Sequence, residues 1–158
     1  MNSNINKNIL KFIFDTNVFN SILDENISLS NKKLLIYVTE IQMKEILKTN
    51  SLSRKEKLLD TYKLIDPKII ESKTAIWGDF PWGMKEFGAE TKEYKVTLEY
   101  LNTIWNKSNN KYDALIAEVA ILYNINLVTS DKALLDTMLE LNKLVISFEE
   151  FKLKFIDK

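Results

Sequence analysis

Four acidic residues stand where a chain of this kind can do chemistry. Asp15 follows the apolar run KFIF and Asp131 follows LVTS; Asp113 stands at a helix start, and Glu45 lies one turn inside the helix after LLIYV. Carboxylates gathered at one end of one sheet suit a hard divalent cation, because Mg2+ or Mn2+ takes carboxylate oxygens together with waters and phosphate oxygens. The sequence has no Cys and no His. That excludes a thiol nucleophile, a zinc finger, a histidine base and a Ser-His-Asp triad. Any hydrolysis must rest on carboxylates, Lys, Tyr, hydroxyls or a metal held by oxygen.

Each acid taken alone has a plainer reading. Asp15 and Asp131 suit helix caps, Asp113 suits the positive end of a helix dipole, and Glu45 suits a solvated pair with Lys48. Glu40, at a first helical position, is explained by the dipole, and Asp136 and Glu118 lie near the four acids in sequence. Asn17, Thr129 and Ser130 carry short polar side chains able to hold a carboxylate or a phosphate oxygen, besides their use in turns.

The elements that must position these residues alternate. Apolar runs at Ile9–Phe14, Leu34–Val38, Asn126–Thr129 and Leu144–Phe148 read as short buried strands. Between them the spacing predicts a helix ending near Leu23, one opened by a Thr39–Gln42 capping box, one opened by Ser53 and Glu56 and running to about Leu64, one from Glu90 and one over Tyr112–Tyr123. A helix over Ala133–Leu141 and a short C-terminal one complete the pattern. Asp66-Pro67 breaks the third helix. The expected architecture is α/β: a mostly parallel central sheet of four or five strands with helices on both faces. Ligands of such sheets bind beyond the carboxyl ends of the strands, at the topological switch point.

Length and composition fit one domain over residues 1–158, at 46% hydrophobic and 28% charged. The 22 basic and 22 acidic residues cancel, which argues against gripping nucleic acid through an overall field. Arg54 is the only arginine, so bidentate clamps on phosphate are scarce. The apolar run near the N-terminus is interrupted by Lys11 and closed by Asp15, too short for a signal peptide or a membrane span. We therefore expect a cytoplasmic protein. Trp77–Ala89 (WGDFPWGMKEFGA) is unusual, for it holds all 3 glycines and two of the 3 tryptophans. It reads as a structured loop or hairpin. Trp77 and Trp82 would either fill gaps in the core or stack on bases, with the stretch serving as a specificity element, a dimer contact or a hydrophobic flap.

Taken in order, the motifs resemble the PIN-domain nucleases, and among them toxins of the VapC type. Phe12–Asn17 matches the family's apolar strand ending in D-T/S-N. Thr39 and Glu45 match its Ser/Thr followed six positions later by Glu. Asp113, Ile116, Ala117 and Ala120 match D-x-x-I-A-x-x-A, and Leu127–Asp131 matches the strand ending in T-x-D. The resemblance spans about residues 9 to 150; the Trp77–Ala89 insert is outside the family pattern. It implies a PIN-like domain and an Mg2+- or Mn2+-dependent endoribonuclease. Asp15, Glu45, Asp113 and Asp131 would be the metal-binding and catalytic acids, supported by Asn17, Thr129 and Ser130. It further implies an RNA substrate, which Lys44, Lys48, Lys111 and Lys132 would approach, an antitoxin partner and a homodimer, with no membrane attachment. The alternatives are a stand-alone RNA-processing nuclease, a non-catalytic PIN-like scaffold that binds RNA or protein, and another doubly wound phosphoryl-transfer domain.

Overall fold

Among the described residues, five short strands form one all-parallel sheet in the order β3-β2-β1-β4-β5. The computed structural model describes residues 9–29, 33–75, 89–106 and 110–156. The strands are β1 (Leu10–Phe14), β2 (Leu34–Val38), β3 (Lys68–Ile69), β4 (Asn126–Thr129) and β5 (Val145–Ser147). The helices are α1 (Thr16–Asp24), α2 (Glu40–Leu47), α3 (Leu52–Ile65), α4 (Lys92–Ile104), α5 (Asn110–Leu122), α6 (Lys132–Glu140) and α7 (Phe148–Phe155). The aromatic insert, apart from Ala89, lies outside the described residues.

Alternation along the central strands assigns side chains to two cores. Ile13 and Leu127 join the buried faces of α4, α5 and α6. Phe12, Phe14, Ile36, Val38 and Val128 join α1, Leu58 of α3 and Phe148 and Phe151 of α7. Helices thus cover both faces, as the alternating pattern requires. Phe151 packs edge-on against Phe12 at 5.0 Å and against Phe14 at 5.3 Å between ring centroids. Each such buried ring contributes roughly 1.5–3 kcal/mol relative to an exposed one. Among the described residues, no helix is long and apolar enough to cross a membrane.

Every glycine lies in the insert, and several helix ends use Asn, and α3 uses Asp66, in the left-handed conformation instead. Asn26, Asn124 and Asn142 have φ of 52°, 52° and 53°. After each, the next amide bonds back to a carbonyl of the last helical turn, as Ile27 to Ile22 at 3.0 Å and Lys143 to Met138 at 2.8 Å. Asn tolerates this region better than most side chains, so it is the natural substitute.

Several boundaries differ from the sequence pattern by one or two residues. Helix α3 starts at Leu52, capped by the Ser51 hydroxyl rather than by Ser53. Arg54, the lone arginine, reaches both carboxylate oxygens of Asp24 at 2.8 and 3.0 Å and Oδ1 of Asn20 at 2.8 Å. It pins α3 to α1. Helix α5 begins at Asn110, two residues before Tyr112, and β5 stops at Ser147, whose side chain caps α7. Strand β3 has two exposed residues and left no apolar run to be read.

Candidate active site

Strand β1 has β2 on one side and β4 on the other, so the switch point lies between β1 and β4, where Asp15 and Asp131 follow their strands. The Asp15 amide bonds the Val128 carbonyl at 3.0 Å, which holds the end of β1 beside β4. Asp15 is only 4% exposed. Its Oδ1 accepts the Thr16 amide at 2.7 Å and its Oδ2 accepts the Thr129 hydroxyl at 2.8 Å. That same hydroxyl accepts the Asp131 amide at 2.9 Å, so Thr129 bridges the two acids. Asp131 caps α6, taking the amides of Ala133 and Leu134 at 2.7 and 3.2 Å. Asn17 Oδ1 accepts the Ser130 amide at 3.1 Å and so ties the turn before Asp131 to the start of α1.

Glu45 reaches this place because α2 is locked at its first turn. The Gln42 carbonyl accepts the Thr39 amide at 2.8 Å, the reciprocal half of the capping box. The other end of the same side chain donates to the Phe14 carbonyl at 2.7 Å. That second bond anchors α2 to the last residue of β1. One turn on, Glu45 Oε2 accepts the Thr16 hydroxyl. Asp113 is half-buried in the first turn of α5. Its neighbour Tyr112 accepts a 3.2 Å bond from Lys48 Nζ, at the end of α2, and Lys48 also sits over the Tyr112 ring at 5.3 Å. The helices bearing Glu45 and Asp113 therefore meet at Lys48, three positions after the one acid, and Tyr112, one position before the other.

The electrostatics follow from this crowding. Burial chiefly, then the charges of Glu45 and Asp131, push the Asp15 carboxyl up from 3.8 to about 6, against the bonds from Thr129 and Thr16. Burial also raises Glu45, with the Thr16 hydroxyl and the Lys48 charge opposing it. A divalent cation would relieve the repulsion, and the donors are the hard oxygens that Mg2+ or Mn2+ prefers. In donor chemistry these residues fit such an ion. In spacing they are not closed around one point: among the described residues no three acidic side chains form a finished ligand set.

Asp15 and Asp131 do cap α1 and α6, and Asp113 does stand in the first turn of α5, as their plain readings have it. Lys132 pairs with Asp136 at 2.5 Å and lies 5.7 Å over the Trp105 ring. Glu40 does more than complement a dipole: its carboxylate takes the Ser72 amide and hydroxyl at 3.0 and 2.5 Å. Glu118 is held by the chain around Lys73 and Thr74 rather than by the four acids. Sequence reading passed over Thr16 as a partner of Glu45 and Gln42 as a tie to β1. The first had a signal in the middle position of D-T-N; the second had none beyond its cap.

No protein-family profile matches the sequence, and no curated protein matches it. Solved structures do match. PAE2754 from Pyrobaculum aerophilum aligns with a TM-score of 0.58 at 13% identity, covering 98% of this chain and 95% of that one. A PilT N-terminus (PIN) domain protein, SSO1118 from Sulfolobus solfataricus, aligns at 0.51 and 17% identity, covering 94% and 96%. The chain has the PIN fold. VapBC2 from Rickettsia felis, solved bound to a DNA fragment from its promoter, aligns at 0.50 and 18% identity, covering 87% of this chain and 98% of that one. Identities this low speak of the fold alone. Within the PIN fold the switch-point edge is where β1 and β4 deliver Asp15 and Asp131.

Proposed function

We propose that the chain is a metal-dependent ribonuclease of the toxin type, cleaving RNA phosphodiester bonds at the β1–β4 edge, with an antitoxin protein as partner and a homodimer as the assembled form. The observation that carries the reading is Asp15. A carboxylate at the switch point whose pKa is raised to about 6, by burial first and by the charges of Glu45 and Asp131 after it, is a costly arrangement that a bound cation makes sense of. The PIN fold and its likeness to VapBC2 support the same reading.

Asp15, Glu45, Asp113 and Asp131 would hold Mg2+ or Mn2+. When bound, the ion supplies a more acidic water and neutralises charge developing on the phosphate. The chain's own residues do the positioning. Thr129 fixes Asp15 and Asp131 relative to each other, Thr16 turns Glu45 toward β1, and Asn17 fixes the Ser130 turn. Lys48, whose charge acts on Glu45, and Lys132, next to Asp131 in the chain, would offer cations to the RNA backbone.

Cleavage of defined RNAs with Mn2+, compared with EDTA, tests the reading. Wild type should cleave only with metal. Asp15→Asn and Asp113→Asn should each lower the rate by about 100-fold or more, the scale for losing one group that stabilises transition-state charge. Undiminished cleavage in EDTA, or in Asp15→Asn, would overturn the metal mechanism.

A further inference from the structure

Outside the acid edge, Glu118 is the one buried charged group among the described residues. It lies within the buried run Ala114–Ala120 of α5 and is 0% exposed. A carboxylate in such a place is costly unless its lone pairs are taken. Here they are. Glu118 accepts the amides of Lys73 and Thr74 at 3.0 and 3.2 Å, and the hydroxyls of Thr74 and Thr91 at 2.5 Å each. The Thr91 amide returns to the Thr74 hydroxyl at 3.0 Å. The residue just before this group, Ser72, gives its amide and hydroxyl to Glu40 of α2. Ser72, Lys73 and Thr74, the chain leaving β3, therefore run from a carboxylate on α2 to a carboxylate on α5.

Glu40 stands five positions before Glu45 on α2, and Glu118 five positions after Asp113 on α5. At about 1.5 Å of rise per residue, each anchor is roughly 7.5 Å along a stiff helix from a candidate acid. We infer that Glu40 and Glu118 are positioning residues: the strap Ser72–Thr74 joins α2 to α5 and fixes their spacing, and with it the gap between Glu45 and Asp113. The role of that gap rests on the nuclease reading; the spacing itself does not. The helices also meet at Lys48 and Tyr112, toward the other end of α2, and Ile41 shares the buried cluster of α5, so the strap adds a polar tie at the Glu40 end to these contacts.

The test uses Thr74→Val, which removes a hydroxyl shared by Glu118 and the Thr91 amide. Thr74→Ser is the conservative control, and Ser72→Ala is a milder break at the Glu40 end. Since the chain has no cysteine, Leu47→Cys and Leu122→Cys place spin labels on α2 and α5 alone. In EDTA the label distance should broaden in Thr74→Val and Ser72→Ala and return to the parental distribution in Thr74→Ser. Mn2+ titrated into the unlabelled full chain should bind about tenfold more weakly in Thr74→Val, the usual cost of losing outer support of a metal site. An unchanged label distance overturns the strap, even if the thermal midpoint falls. A wild-type chain that binds no Mn2+ overturns the nuclease reading, while the distance measurement, made without metal, still decides the strap.

Discussion

Asp15 and Glu118 are both buried carboxylates, 4% and 0% exposed, yet their surroundings are opposite. Glu118 collects hydrogens from Lys73, Thr74 and Thr91, which suits the four lone-pair directions of an ionised carboxylate. Asp15 receives one bond per oxygen, from Thr16 and Thr129, and is pressed by the charges of Glu45 and Asp131. A saturated carboxylate fastens the fold. One short of donors and crowded by like charge is destabilised as it stands and gains from a cation. In this chain the difference between a structural acid and a candidate ligand is one of donor count and neighbours rather than of burial.

Removing the saturated carboxylate should therefore cost the most stability. Glu118→Ala leaves the amides of Lys73 and Thr74 and the hydroxyls of Thr74 and Thr91 without their acceptor in a closed interior. Each such orphan costs about 1–3 kcal/mol, and partial relaxation leaves a total on the order of 3–5 kcal/mol. Urea unfolding would read it as a lower midpoint at unchanged slope. A loss below about 1 kcal/mol would show that water replaces the donors easily and that the contrast with Asp15 is not one of saturation.

The crowded carboxylate should behave in the reverse sense. A folded-state pKa near 6, above the ordinary 3.8, means that the native chain binds more protons than the unfolded one between those values. Metal-free stability then falls as pH rises from about 4 to about 6 and levels beyond. Asp15→Asn has no charge to desolvate. In EDTA it should match wild type near pH 4 and be more stable by about 2–3 kcal/mol at pH 7. Parallel stability curves across that range would mean that Asp15 is not held against its ionisation.

These two carboxylates also mark what the sequence makes legible. Asp15 stands out because the apolar run Leu10–Phe14 stops at it and the cap pattern restarts after it. Thr39 and Gln42 announce α2 for a similar local reason. Glu118 does not stand out. Helix α5 is apolar nearly all round, so no polar stripe marks it, and its donors come from residues 27 to 45 positions away. The two-residue β3 is hidden because it is too short and too exposed to show a buried-strand pattern, and the start of α3 is ambiguous because Ser51 and Ser53 are both competent caps. What is written in a few neighbouring residues can be read along the chain. What is assembled by the crossing of α2, α5 and the chain after β3 exists only in three dimensions, and that includes how far apart Glu45 and Asp113 stand.

The smallest stability effect should come from the edge itself. Asn17 holds the Ser130 amide through a bond open to solvent, so water can replace it. Asn17→Ala should lower stability by only about 0.5–1.5 kcal/mol, the net worth of one ordinary hydrogen bond. The turn that presents Asp131 is nevertheless freed, and the Mn2+-supported cleavage rate should fall by about tenfold or more, as when outer support of a ligand is lost. The ratio of functional to structural damage would then be inverted relative to Glu118→Ala. Should Asn17→Ala cleave like wild type, the Ser130 turn is held well enough by Thr129, the α6 cap and the 3.3 Å bond between the Ser130 and Ser21 hydroxyls. The acid edge would then owe its geometry to the buried bridge between Asp15 and Asp131 rather than to Asn17.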